Sequence, residues 1–432
     1  MILQNWWYTT LLNTKVDACS PLIENISCDV LVVGGGMAGL HAAKYLTEAG
    51  RKVVLLERNI CGGSSTGKSA GFLTPDSELE LGQLVRRYGS EDAKVVWSIA
   101  SQGVDLIIQN IKKHDIKCDL LKQDSLFVGL GQKGSQEVQE EAYARKKLNL
   151  PFTLYHKEEL KKINTGREYT LGIQYSDTYG INPLLYAQEL KKILLTLGVK
   201  IYESTEVTEI KGHTAKTHLG SVTAENIIIC IDKMKPSFSR VAKQTYHAQT
   251  FLSISEPLEK KDIKDMFPIT DVMCWDSKLV YTYYRLTGDN RLLVGGGSAL
   301  TTFSSMDVTP PKIIERVIGG LKKQFPILNH VEFIQYWPGR IDTTKDLIPI
   351  VDFDSQMPHV QYVLGCVGLP WAAFCGDYAA RRLLEPEYCH IYCKYLKIQR
   401  KYFIPFTLQR ILGKMITFSL NNIFSKYIQK GY

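Results

Sequence analysis

The chain lacks any apolar run approaching the roughly 20 residues of a membrane-crossing helix, so an integral membrane protein is not expected. Its first residues, MILQNWWYTTLL, hold two tryptophans and no positively charged segment, which argues against a secretory leader. Ten cysteines occur without a repeated spacing. Cys389-His390-x-x-Cys393 is their one tight group, and it lacks the second pair that a tetrahedral zinc site requires. Reduced thiols and no metal are the expectation. Acidic residues stop at Glu387, and eight of the 52 Lys and Arg residues lie beyond it. The remainder balances all 44 acids, so the net charge of +8 belongs to the tail. A neutral body argues against a nucleic-acid partner. The location these absences suggest is cytoplasmic.

What is present is an ordinary globular composition, 45% hydrophobic and 22% charged, with helix-like and strand-like segments in alternation. That pattern predicts an α/β architecture of two or three domains. Its clearest unit begins at Cys28, in CDVLVVGGGMAGL. Val30–Val33 reads as a buried parallel strand and runs into Gly34-x-Gly36-x-x-Gly39. A helix follows to about Gly50, then a second strand, Val53–Leu56, which closes on Glu57. The first glycine permits a tight turn, the second lets backbone approach a pyrophosphate, and the third lets helix and strand pack closely. The helix N-terminus then faces the phosphates. Glu57 arrives at the distance where an acid meets a ribose hydroxyl. The unit predicts a dinucleotide, with NADP the least favoured because an acid repels a 2′-phosphate.

A second stretch, GGSSTGKSAG from Gly62 to Gly71, spells the phosphate loop of nucleotide hydrolases. Such a loop enters a long helix at its Lys-Ser, whereas here Gly71 and Pro75 follow within a turn or two. Ile227–Asp232 looks like the second hydrolase element, but any buried parallel strand with a polar end does so. A nucleotide hydrolase is therefore the remote alternative.

Taken together, these residues resemble the FAD-dependent D-amino-acid oxidase-like family, and its gamma-glutamylputrescine oxidase branch most. Thr66-Gly67-Lys68-Ser69-Ala70-Gly71 is similar to the small-residue loop that this family runs under the FAD diphosphate toward the flavin. The likeness continues through Tyr179–Pro183, Glu203–Val207, Ile254–Leu258, Tyr284-Arg285-Leu286, Trp337–Thr344 and Gly365-Cys366-Val367-Gly368. It implies a Rossmann-like FAD-binding domain assembled from 28–110, 171–245 and 337–385. A mainly antiparallel substrate domain would come from 111–170 and 246–336, after an N-terminal arm of 1–27 and before a tail of 386–432.

By the same resemblance, FAD would touch Gly34, Gly36, Met37, Ala38, Gly39, Glu57, Arg58, Ser65, Thr66, Gly67, Lys68, Ala70, Gly71 and Phe72. Val207, Gly339, Gly365, Gly368, Leu369 and Pro370 complete that set. Sarcosine oxidases attach flavin through a cysteine; Gly339 stands there, and the 62–71 loop has no histidine, so the FAD would be noncovalent. The reaction implied is hydride transfer from a neutral amine or amino acid to flavin N5, with an imine released and oxygen or another acceptor taking the electrons. Tyr284, Arg285, Trp337, Arg340 and Trp371 are the candidates to act on the substrate, with Tyr283 beside them. Amino-acid oxidases hold the substrate carboxylate with an arginine, and Ile341 occupies that position, which favours an amine. A flavin-bound subunit without turnover is the alternative reading. The tail, basic and studded with residues such as Phe403, Leu408, Ile411 and Phe418, is expected to pack on the body, with peripheral membrane contact the second reading.

Overall fold

A computed structural model describes residues 1–15, 17–76, 79–278, 280–297, 308–389, 391–400 and 402–427. His390, of the Cys389/Cys393 group, lies outside them.

The β-branched run before the first glycine forms the strand Asn25–Val33, with parallel neighbours Val53–Leu56 and Ser221–Ile229. Lys200–Tyr202 extends this sheet on one side, and Val360–Leu364 pairs in parallel with Ile227–Ile229 on the other. Alternation along the strands gives each face its own core. Val30, Val32, Val53 and Leu55 pack against the helices Met37–Glu48, Ser90–His114, Pro183–Thr196 and Leu369–Leu384. Leu31, Val33, Val54 and Leu56 face the opposite layer, with Tyr362, Met234 and Val241.

The second sheet has nine strands among the described residues. In spatial order they are Ile2–Leu3, Phe333–Thr344, Thr245–Pro257, Arg291–Gly296, Tyr283–Leu286, Val272–Asp276, Asp124–Leu130, Tyr169–Tyr175 and Thr153–His156. Most pairs are antiparallel, as expected of the substrate half; Ile2–Leu3 with Phe333–Thr344 and Asp124–Leu130 with Val272–Asp276 are parallel. This arrangement moves two boundaries. A start of cofactor-binding chain at 171 cuts through Tyr169–Tyr175, and one at 337 cuts through Phe333–Thr344, yet both strands belong whole to the larger sheet. Ladder pairing, invisible in a linear pattern, sets those limits. The first residues are also more than an arm, since Ile2–Leu3 adds an edge strand and Trp6–Leu11 forms a short helix capped by Asn5.

The tail folds back. Arg400 binds both carboxylate oxygens of Asp346 and the carbonyls of Ile348 and Pro349. Lys345 Nζ donates to the Ile404 carbonyl, and Tyr246 donates to Gln409. Among the described residues no helix is long and apolar enough to cross a membrane.

Candidate cofactor and substrate site

A cavity of about 510 Å³ opens where the Asn25–Val33 strand gives way to the Met37–Glu48 helix. Gly34, Gly36, Met37 and Ala38 form its floor, and Glu57 and Arg58 its near end. Ser65 and Thr66 form one side, Val207 another, and Gly365, Gly368 and Leu369 the far end. Gly39 does not reach the cavity: a Cβ there would lie 1.8 Å from the Gly34 carbonyl oxygen, so its role is close helix–strand packing. Glu57 is buried, which raises its carboxyl above the usual range, and the amides of Asn59 and Gly35 pull it back. Its Oε2 accepts from Gly35 N at 2.7 Å and its Oε1 from Asn59 N at 2.9 Å. Each oxygen has a second lone pair for a ligand hydroxyl.

The Gly62–Gly71 stretch is no hydrolase loop. A single 3₁₀ turn at Thr66–Lys68 ends at an extended Ser69, and the short strand Phe72–Leu73 follows where a phosphate loop would begin its helix. Thr66 Oγ1 accepts the amide of Met37 at 2.9 Å, so this loop caps the helix that Gly36, without a side chain, leaves uncapped. It is clamped from behind. Asn5 Nδ2 donates to the Gly67 carbonyl at 2.6 Å, Trp7 Nε1 to Ser69 at 2.8 Å and Tyr8 to Gly63 at 2.9 Å. Gly67 and Gly71 are spacers rather than lining residues; at Gly71, with φ +75°, a Cβ would meet the Ile181 carbonyl at 2.0 Å.

A second cavity of about 220 Å³ shares Ser65, Ser69, Ile341, Gly368 and Leu369 with the first. Lys68, Ala70, Phe72, Gly339 and Pro370 line it, as do the rings of Phe127, Trp275, Tyr281 and Tyr283. Pro370 stands in the first turn of the Leu369–Leu384 helix, a position where proline is compatible with a helix start.

The five residues assigned to the substrate stand elsewhere. Strand alternation puts Tyr283 in the cavity and turns Tyr284 into the core, where its hydroxyl meets Asn164 at 2.9 Å and Tyr169 at 3.1 Å. Arg285 is buried behind the loop, donating to the carbonyls of Ala70, Ile181 and Leu286. Trp337 lies under the loop; its Nε1 donates to the Lys68 carbonyl at 3.1 Å, and its ring packs edge-on to Trp7. Arg340 alternates with the lining residues Gly339 and Ile341 and is absent from both walls, although its carbonyl accepts from Ser65 Oγ. Trp371 points into the core, while Leu369 and Ala372, three apart on one helix face, line the first cavity.

Several lining residues escaped the sequence reading. Thr205, Asp232, Lys233, Lys235 and Phe238 surround the first cavity, and Asp76, Glu80 and Glu137 the second. Asp232 lies three residues past the strand Ser221–Ile229, in the stretch that mimics a hydrolase element; burial and the nearby Asp342 raise its carboxyl to about 6. A polar strand end was the one available signal.

A strand–glycine–helix unit with a buried acid, a capped loop and a cavity running past a helix N-terminus fits an adenine dinucleotide whose far end meets a substrate pocket. That is the arrangement of a flavoprotein oxidoreductase. Residues 29–382 match the profile of the FAD dependent oxidoreductase family, and the chain belongs to that family. Its cofactor is FAD and it is an enzyme. It is 30% identical over 378 residues to gamma-glutamylputrescine oxidoreductase of Escherichia coli K12, covering 84% of each chain. Glycine oxidase from Geobacillus kaustophilus shares its fold, with a TM-score of 0.73 at 16% identity over 87% of this chain and 99% of that one. L-proline dehydrogenase from P. horikoshii does so at a TM-score of 0.71 and 17% identity, covering 91% and 100%.

Proposed function

We propose that this enzyme oxidises a primary or secondary amine to an imine, with its FAD held noncovalently. The observation that carries the reading is Ile341, which lines both cavities at their junction and offers no hydrogen bond to a carboxylate. The Escherichia coli relative, whose name specifies an amine-bearing substrate, supports the same class. Gly34, Gly36, Thr66 and Gly368 line the cavity that would hold FAD, which would supply a hydride acceptor when bound. The chain's own residues orient and enclose. Phe72, Trp275 and Tyr283 wall the second cavity with rings that exclude water and attract an amine cation. Gly368 and Leu369 begin a helix whose positive end stabilises negative charge at the far end of the first cavity. Gly339 and the Gly62–Gly71 loop, without cysteine or histidine, support a noncovalent cofactor. The buried contacts of Lys345 and Arg400 support a tail that packs on the body, in keeping with a cytoplasmic enzyme.

Purified protein should be yellow, and acid precipitation should leave the colour in the supernatant; colour in the pellet would mean a covalent link. Anaerobic mixing with short alkyl amines should bleach the flavin. Failure across a panel of primary and secondary amines would overturn the substrate class.

A further inference from the structure

The tail has two faces, and the fold accounts for one of them. On the inner face Gln409, Thr417 and Asn421 are buried. Gln409 takes the Tyr246 hydroxyl at 2.8 Å, Asn421 Nδ2 donates to the Lys345 carbonyl at 3.2 Å, and the Phe418 ring lies 5.4 Å from that of Tyr246. The outer face is different. Ile411 is 81% exposed, and Leu408, Met415 and Ile416 are between 39% and 55% exposed.

These four side chains gather around one elbow. Leu408 and Ile411 stand three apart on the helix Phe406–Leu412, so they share a face. Gly413, at φ +78°, ends that helix, and Met415 and Ile416 open the next, Lys414–Tyr427. Single exposed apolar side chains are ordinary on protein surfaces. A cluster of them between Leu408 and Ile416, when the inner face already holds the tail down, leaves apolar area in water that stabilises nothing in the free chain.

The charge around the elbow selects what covers it. Beyond Glu387 the chain carries eight Lys and Arg and no acid. Arg410 and Lys414, which precede Ile411 and Met415, are both exposed. The helix on which Lys414–Tyr427 packs, Leu81–Tyr88, contains Arg86 and Arg87 and likewise no acid. A second copy docking here would set one basic segment against another. An anionic bilayer meets both demands, since its acyl boundary takes apolar side chains and its headgroups take cations.

We propose that the Leu408–Ile416 elbow is a membrane-docking face, which seats the enzyme on anionic lipid while the inner face of the tail stays on the body. Contact is peripheral, with the four apolar side chains at the boundary between headgroups and acyl chains. The substrate cavity is one helix away, because Leu81–Tyr88 contributes Gln83 to its wall. The docked enzyme works at the lipid surface, and the inference holds whichever amine it oxidises.

The test is co-sedimentation of the holoenzyme with vesicles of phosphatidylcholine alone or with about 30% phosphatidylglycerol, at about 0.1 M and about 0.5 M salt. Binding should require phosphatidylglycerol and weaken about fivefold or more at the higher salt, the contribution of one cation at such a surface. Ile411→Asp combined with Met415→Asp should lower vesicle affinity about 10- to 100-fold, and Arg410→Glu about fivefold or more. Flavin absorbance of both variants without vesicles should match the wild type, because none of these residues lines either cavity. The wild-type comparison between lipid compositions does not depend on any variant folding. Equal sedimentation with and without phosphatidylglycerol, or variants that bind like the wild type, would overturn the inference and leave amine oxidation standing. A dimer that the Ile411 and Met415 changes dissolve, with no vesicle binding, would assign the face to a second copy instead.

Discussion

Replacing Arg285 with methionine keeps the length of the side chain and removes its donors, which separates a loop anchor from a catalytic group. The guanidinium donates to Ala70 O at 2.8 Å, Ile181 O at 2.6 Å and Leu286 O at 3.0 Å. Leu286 O keeps a bond from Gln123 Nε2, so the buried Ile181 carbonyl and the part-buried Ala70 carbonyl lose their donor. Each orphaned carbonyl costs about 1–3 kcal/mol. Against this, Arg285 is only 1% exposed, with no acid within ion-pair distance among the described residues, and burial lowers its pKa from 12.5 to about 10. Removing that strained charge returns about 3 kcal/mol at neutral pH, because the cost of holding it applies wherever the pH lies below 10. Two carbonyls at about 1–3 kcal/mol each, less about 3 kcal/mol, leave a net loss centred near 1 kcal/mol. The loop between Ser65 and Gly71 bears most of it, since the Ala70 carbonyl that loses its donor belongs to that loop. FAD affinity should therefore fall roughly fivefold, read as recovery of flavin fluorescence on dilution, while the reduction rate of FAD-saturated enzyme changes little. Wild-type FAD affinity together with a hundredfold slower reduction would refute the anchor and restore Arg285 to the chemistry.

The Asp232 carboxyl, raised to about 6, gains charge in the cofactor cavity as the pH climbs through that value. FAD carries two phosphate charges, so its dissociation constant should rise from pH 5 to pH 8, and Asp232→Asn should flatten the profile; an unaltered slope in the variant would exclude the group. Ile341→Arg should raise kcat/KM for glycine or sarcosine about 10- to 100-fold by supplying a paired hydrogen bond to the carboxylate, measured by oxygen uptake or dye reduction; no gain would place this side chain away from the substrate. Arg400→Met strips Asp346 of its buried guanidinium and should cost about 3–5 kcal/mol, with the chain beyond residue 385 cut early in limited proteolysis; a tail as resistant as wild type would show that other contacts hold it.

The cofactor half was legible because its signals are contiguous. Gly34, Gly36, Gly39 and Glu57 lie within two dozen residues, and backbone geometry alone dictates glycine and acid at those spacings. The substrate half was not, because the choice between neighbours rests on strand register. Tyr283 and Tyr284 differ by one position and face opposite sides of the sheet. Trp337 shares parity with Gly339 and Ile341, but its indole is tied to the Lys68 carbonyl. Asp76 and Glu80 carry no local signature, since what makes them unusual is Arg145, 69 residues from Asp76, and Trp275, 195 residues from Glu80. The N-terminal tryptophan looked like part of an unremarkable terminus, and its bond to Ser69 arises only from tertiary packing.

The strand Phe333–Thr344 runs unbroken past both cavities. Its register with Thr245–Pro257 extends from Phe333 opposite Ser255 to Thr344 opposite Thr245. Thr344 reaches so near Gly365 that a Cβ on that glycine would come within 2.8 Å of it. That ladder lies wholly within the larger sheet. Where the strand ends, Thr343 and Thr344 pack on Gly365, in the turn that leads to the Leu369–Leu384 helix, and this contact couples the two sheets. Heating should melt them together as one calorimetric event, and a change anywhere along that strand will be felt at both ends of the reaction.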